Sequence, residues 1–295
     1  MGGRLSAALA VILAAVLVVG GCGGGGGAML AAVDFAFSGF NGTDWDIYVK
    51  KSGAVQPLVV RAGDQTHPSL SWDRQMCVFE NELDGRRIIS KADTATGTVQ
   101  PLIVSALDCT DPEISPDGNL VVFVQSTGPG ESDLWISNIG GGALTQLTNW
   151  PGAEVDPTWS ADGRAIYFAS NRSGNFDIWR IDIYGCGETQ ITNSSANERY
   201  PAMASFMELL VYASDADGDW ELWYKDARRL DQPGVQVTNN AFDDLEPSWC
   251  KIGNSPNIMY ASYIGGVWQL RKQCIIPIQA PSTIDVGVPA RQPSY

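Results

Sequence analysis

Histidine is almost missing from this sequence: His67 stands alone among 295 residues. Ser-His-Asp and Cys-His hydrolases need a histidine beside the nucleophile, and there is no Gly-x-Ser-x-Gly turn to present a serine. A metal caged by several histidines is excluded by the same count. Cysteine is scarce, and none of Cys77, Cys109, Cys186, Cys250 and Cys274 has the close spacing of a zinc site. Positive charge is also short. With 19 Lys and Arg against 33 Asp and Glu, the net charge is −14, which disfavours nucleic acid and anionic lipid as partners. Basic proteins and cations are better matched. Sustained helical periodicity is absent beyond the amino-terminal stretch, so an all-β chain is expected.

The one long apolar run is Leu5 to Val19, preceded by Arg4 and followed by Gly20, Gly21 and Cys22. It is too short to span a bilayer comfortably and ends in small residues, as export signals do. The segment resembles a bacterial lipoprotein signal, which implies residues 1–21 as the signal peptide and lipidation of Cys22. Gly23 to Gly27 then continue a flexible tether, 22–30. Loss of Arg4 leaves 18 basic against 33 acidic residues, a charge of −15. The resemblance places the protein in the bacterial cell envelope, held to the membrane only by its lipid. Gly23, where an inner-membrane retention signal would carry aspartate, favours the periplasmic side of the outer membrane or the cell surface. An export signal permits disulfides, and Cys250 with Cys274 is the expected pair because both fall in one repeat.

The remainder is repetitive. Pro68, Pro112, Pro157, Pro201, Pro247 and Pro293 recur at intervals of 44, 45, 44, 46 and 46, each followed two residues later by a bulky apolar side chain. After the proline strand comes a turn, clearest as SPDG at Ser115 and SADG at Ser160, then an apolar strand such as AIYFAS. A polar loop, a third strand such as DIWRI and a short fourth strand such as TQITN complete the period. Four short antiparallel strands per roughly 45 residues form a propeller blade. Proline suits the start or edge of the innermost strand because it lacks a backbone N–H. The first period has only three strands, and the chain ends on a lone proline strand, RQPSY. Residues 31–295 are therefore expected to form a six-bladed β-propeller of four-stranded antiparallel blades, its ring closed by the carboxy-terminal strand completing blade 1.

These repeats, strongest over Asp111 to Asn193, resemble the TolB-like propeller family, with its proline strand, S-P-D-G turn, D-[I/L]-[W/Y] strand and L-T ending. The resemblance implies a monomeric envelope propeller that engages protein partners. The chain leaves no room for the amino-terminal α/β domain that precedes such propellers, so partner identity is not inherited. No catalytic residue and no resident metal are assigned.

The residues immediately before the prolines are His67, Asp111, Asp156, Tyr200, Glu246 and Gln292. Six-fold repetition should bring them around one channel mouth, the candidate partner-binding site. Asp108, Glu154, Glu198, Asp243 and Asp244, with loop residues Asp44, Glu131, Asp215, Asp217 and Asp219, are expected on the same face. Such a mouth suits a basic protein segment, with calcium a candidate cofactor. The same carboxylates could instead accept backbone hydrogen bonds within turns. A glycan is the alternative ligand, bound or cleaved by a carboxylate-based carbohydrate-active enzyme. Tyr48, Trp135, Trp179, Trp223 and Trp268 recur at one strand position and should pack between blades, whereas Trp45, Trp150 and Trp220 lie in or beside loops and could stack on ligand.

Overall fold

The computed structural model describes residues 35–204, 208–252, 255–275 and 280–294. The expected signal peptide 1–21, Cys22, the tether 22–30, residues 31–34 and Tyr295 lie outside the described residues. The described chain forms six four-stranded antiparallel sheets, and no helix among the described residues is long and apolar enough to cross a membrane. Blade 1 is composite: the last strand, Ala290–Ser294, pairs with Phe35–Phe40. A backbone bond from Phe40 N–H to Pro289 O and a side-chain bond from Ser38 Oγ to Gln292 Oε1 lock this closure.

One apolar cluster lies in each of the six gaps between neighbouring blades. Alternation along the second and third strands sends side chains into the gap on either side of each sheet. Trp135, Trp179, Trp223 and Tyr48 pack into these clusters as expected. Trp268 does not share their register. At the same spacing along the hairpin, Arg271 faces Tyr260 where Trp179 faces Phe168, and Trp268 pairs with Tyr263 near the hairpin tip, where the blade 6 ladder extends further.

The SPDG turn is held by its own side chains. Ser115 Oγ donates to Asp117 Oδ1 and accepts from Leu120 N–H, and Ser160 repeats this with Asp162 and Ala165. The L-T ending has an equally local cause. In blades 3 to 5 the outermost strand is two residues long, and the hydroxyls of Thr148, Thr192 and Thr238 each accept, at 2.8 Å, an N–H of the third strand. Blades 1 and 2 have Val59 and Ile103 there and instead extend the outer strands, Ala54–Val59 and Val99–Ile103.

The expected Cys250–Cys274 disulfide is not formed, and the five described cysteines are thiols. Cys250 and Cys274 stand opposite Asn257 on the two strands that flank it. Two strand spacings, roughly 10 Å, exceed the approximately 7 Å Cα separation a disulfide tolerates.

Candidate functional site

The six residues before the prolines occupy the third position of each innermost strand. All six are non-glycine residues in the left-handed region, with φ between 49° and 55°. In five of the strands the ladder shifts register at this point, for example between Val155 and Thr158, and the closing strand shifts likewise between its contacts to Ala36 and Ser38. Proline cannot donate to the ladder, and the bulge before it turns the preceding side chain into the channel. Six such residues per ring represent strain the blades must over-determine.

The neighbouring blade supplies that restraint. The bulge frees one N–H per strand. Tyr200 N–H donates to Asp156, Gln292 N–H to Glu246, His67 N–H to Gln292 Oε1 and Asp111 N–H to Glu80, at 2.8 to 3.1 Å. Each acceptor belongs to the preceding blade, so the ring residues stitch the propeller together around its axis. Two arginines reinforce the stitch: Arg199 forks onto Asp156 at 2.8 and 2.9 Å, and Arg291 forks onto Glu246. His67 lies 2.8 Å from Glu80 and 3.3 Å from Asp111.

These contacts set the charge of the site. Burial alone would lower the His67 pKa, but Glu80 and Asp111 outweigh it and push it up to about 9. Burial would raise Glu80, yet its ion pair and hydrogen bond with His67 bring it down to about 2. Burial, together with repulsion from Glu80 and Asp156, raises Asp111 to about 7 despite His67. Glu113, buried and accepting from Trp159 N–H and Thr158 Oγ1, is also raised to about 7. His67, Glu80 and Asp111 have ligand atoms within 4.8 Å of one another and are the one group among the described residues dense enough to hold a metal. A protonated His67 already supplies the positive charge that such a site would bind.

All six ring residues line one funnel of about 540 Å³, walled by the six prolines with Trp159 and Trp249. Trp72, which is 77% exposed, and the turns at Ser71, Ser115 and Ser160 form its rim. The funnel therefore opens toward the turns that follow the innermost strands. Asp108, Glu154, Glu198, Asp243 and Asp244 precede the ring along those strands and do not line it, so they are not on the funnel's face as the sequence suggested. Glu154 and Glu198 are buried, accepting from Ser170 and Ser194. Trp45, Trp150 and Trp220 are half-buried against Phe40, Phe168 and Tyr200. Glu80, Arg199, Arg291 and Trp72 escape sequence reasoning. The shared Arg-x-Pro spacing of RYP and RQP is the one signal that could have found the arginines.

A closed ring of repeats with a polar, proline-walled axial funnel defines a non-covalent repeat scaffold of the β-propeller class. The TolB β-propeller domain family matches residues 108–280, more than half of the chain, and the chain belongs to this family. Among curated proteins, the Tol-Pal system protein TolB of Nitratidesulfovibrio vulgaris is 38% identical over 47 residues, covering 16% of this chain and 11% of that protein. Among solved structures, TolB from Acinetobacter baumannii superposes with a TM-score of 0.77 at 17% identity, over 89% of this chain and 66% of that one. A TolB structure from Agrobacterium tumefaciens gives 0.69 at 17% identity, over 88% and 91%. The chain thus spans less than two thirds of the curated relative and of the Acinetobacter protein, and the structural likeness at these identities concerns the fold.

Proposed function

We propose that this chain is an envelope lipoprotein, anchored through Cys22, whose propeller binds a protein partner in the axial funnel. The observation that carries the reading is the composition of the funnel. Its wall is apolar, made of prolines and tryptophans, while its floor holds His67, Asp111, Asp156, Tyr200, Glu246 and Gln292. An extended protein segment with one apolar anchor and one or two basic side chains is complementary to such a surface. Membership of a family that includes TolB proteins supports a binding role, and the net charge of −14 favours a basic partner.

Affinity capture from solubilised envelope with the full chain, at low and high salt, tests the proposal. The expected result is one stoichiometric protein whose retention weakens with salt and is lost with Trp72→Asp at the funnel rim. Equal retention by wild type and Trp72→Asp would overturn it.

A second reading, carboxylate-based action on a glycan, is favoured by Asp111 and Glu113, two funnel carboxyls both held near pH 7. Release of reducing ends from envelope polysaccharide, lost with Asp111→Asn, would establish it. No release at any pH from 5 to 8 would remove it.

A further inference from the structure

Two neighbouring gaps of the propeller are built from matching positions but finished differently. In the gap between blades 3 and 4, the Arg172 guanidinium is stacked between Trp150 and Trp179, 3.8 Å from each ring centre. Its charge is met by the buried carboxyl of Glu154, which in turn feels Asp133. In the gap between blades 4 and 5, Trp223 stands where Trp179 does, Glu198 where Glu154 does, and Asp177 where Asp133 does. The two filling residues have changed: Ser194 replaces Trp150 and Ala216 replaces Arg172. A cavity of about 620 Å³ remains, lined by Trp223, Tyr212, Glu198 and Lys225.

The carboxyl pair in this open gap is incompletely satisfied. Glu198 is 4% exposed and Asp177 1%; the two carboxyls lie within hydrogen-bond reach of each other, and no other group donates to Glu198 Oε2 or Asp177 Oδ1, as none donates to Glu154 Oε2 next door. Buried oxygens left unpaired cost free energy and call for a donor. Lys225 Nζ donates to the Ile191 carbonyl at 2.9 Å and is not within hydrogen-bond reach of either oxygen.

The geometry points to the gap between blades 4 and 5 as a binding site for a planar organic cation, typified by a guanidinium group, stacked on Trp223 and facing Glu198 as Arg172 faces Glu154 next door. A flat cation over an indole gains cation–π attraction, and its N–H groups supply the missing donors. The site is separate from the axial funnel and does not rest on the reading of it. The groups that face the cation are Glu198, Tyr212 and Lys225, with Asp231 at the rim and Asp177 behind Glu198. Burial, with Asp177 close behind, raises the Glu198 carboxyl above its ordinary range, and a bound cation would favour its charged form.

The test is a titration of the full chain with methylguanidinium, with the peptide Gly-Arg-Gly and with methylammonium. The readout is the indole N–H NMR resonance of Trp223, identified by its loss in Trp223→Phe. Methylguanidinium should give a saturable shift that weakens as pH falls and the raised Glu198 carboxyl takes up a proton. Methylammonium should bind at least about tenfold more weakly, lacking the planar stack. A tighter peptide would assign the site to an arginine side chain of a protein; a tighter free cation would assign it to a small molecule. Glu198→Gln should weaken binding, and Ser194→Trp with Ala216→Arg, which rebuilds the neighbouring plug, should abolish it while raising or preserving Tm. Absence of a saturable shift, or an unchanged shift in the plugged double variant, would overturn the proposal.

Discussion

Asp156 holds two groups of the next blade with one carboxylate: it accepts both arms of Arg199, at 2.8 and 2.9 Å, and Oδ2 also accepts the Tyr200 N–H at 3.1 Å. Asp226 makes an equally short fork with Arg228, but Arg228 is exposed. Burial should decide the consequence. Asp156→Ala leaves a half-buried guanidinium and a backbone N–H without their acceptor, and is expected to cost about 3 kcal/mol. Asp226→Ala should cause no measurable loss, because water replaces the carboxylate. Urea denaturation of both variants checks the ranking, and equal losses would show that distance alone sets the strength of these pairs.

The His67–Glu80 pair predicts a pH profile. The imidazole titrates near 6.5 in an unfolded chain and near 9 here, so its contribution is complete below about pH 6.5 and fades as pH rises through 9. Glu80 has the opposite sign: lowered from 4.5 to about 2, it contributes above pH 4.5 and fades as pH falls toward 2. Wild type should therefore lose more Tm between pH 6.5 and 9.5 than His67→Gln does. Parallel curves for the two proteins would mean that His67 is not linked to folding.

Much of this molecule is legible in its sequence because each blade repeats its own local chemistry. The proline register, the Ser-Asp turns and the L-T endings are each explained within one repeat, so six blades and a composite first blade follow from counting. What escapes the sequence lies between repeats. Glu80 belongs to the second strand of blade 2 yet reaches the ring, and Arg199 reaches back to blade 4. The ring carboxylates read as a charged mouth, whereas two of the three, Asp156 and Glu246, are committed to bulge N–H groups, the reading that turn chemistry also allowed. The cavity between blades 4 and 5 is a difference between repeats, visible when Ser194 and Ala216 are set against Trp150 and Arg172.

The threonine endings can be weighed directly. Ile178 is fully buried, and its N–H has Thr192 Oγ1 as its acceptor at 2.8 Å. Thr192→Val keeps the shape and removes the acceptor, so a loss of about 2 kcal/mol is expected. Thr192→Ser keeps the oxygen and should lose less than half of that. In hydrogen exchange, the Ile178 amide should lose protection in the valine variant alone. Retained protection in that variant would show that the outer strand can lengthen, as it does in blades 1 and 2.

Thiol reactivity links the fold to the proposed anchor. Cys186 is exposed, whereas Cys77, Cys109, Cys250 and Cys274 are buried. Burial pushes the Cys77 and Cys250 thiols up to about 12 and raises Cys109, which withholds the reactive thiolate as well as access to it. Outside these five stands Cys22, whose sulfur is blocked by a thioether if it carries lipid. Protein purified from membranes should therefore release one equivalent of chromophore from an aromatic disulfide reagent when native and five when unfolded, and Cys186→Ser should abolish the native signal. A second native equivalent that persists in Cys186→Ser and vanishes in Cys22→Ser would identify Cys22 as a free thiol and remove the lipid anchor from the proposed function. The count thus separates a propeller held at the membrane by its first mature residue from one that is released.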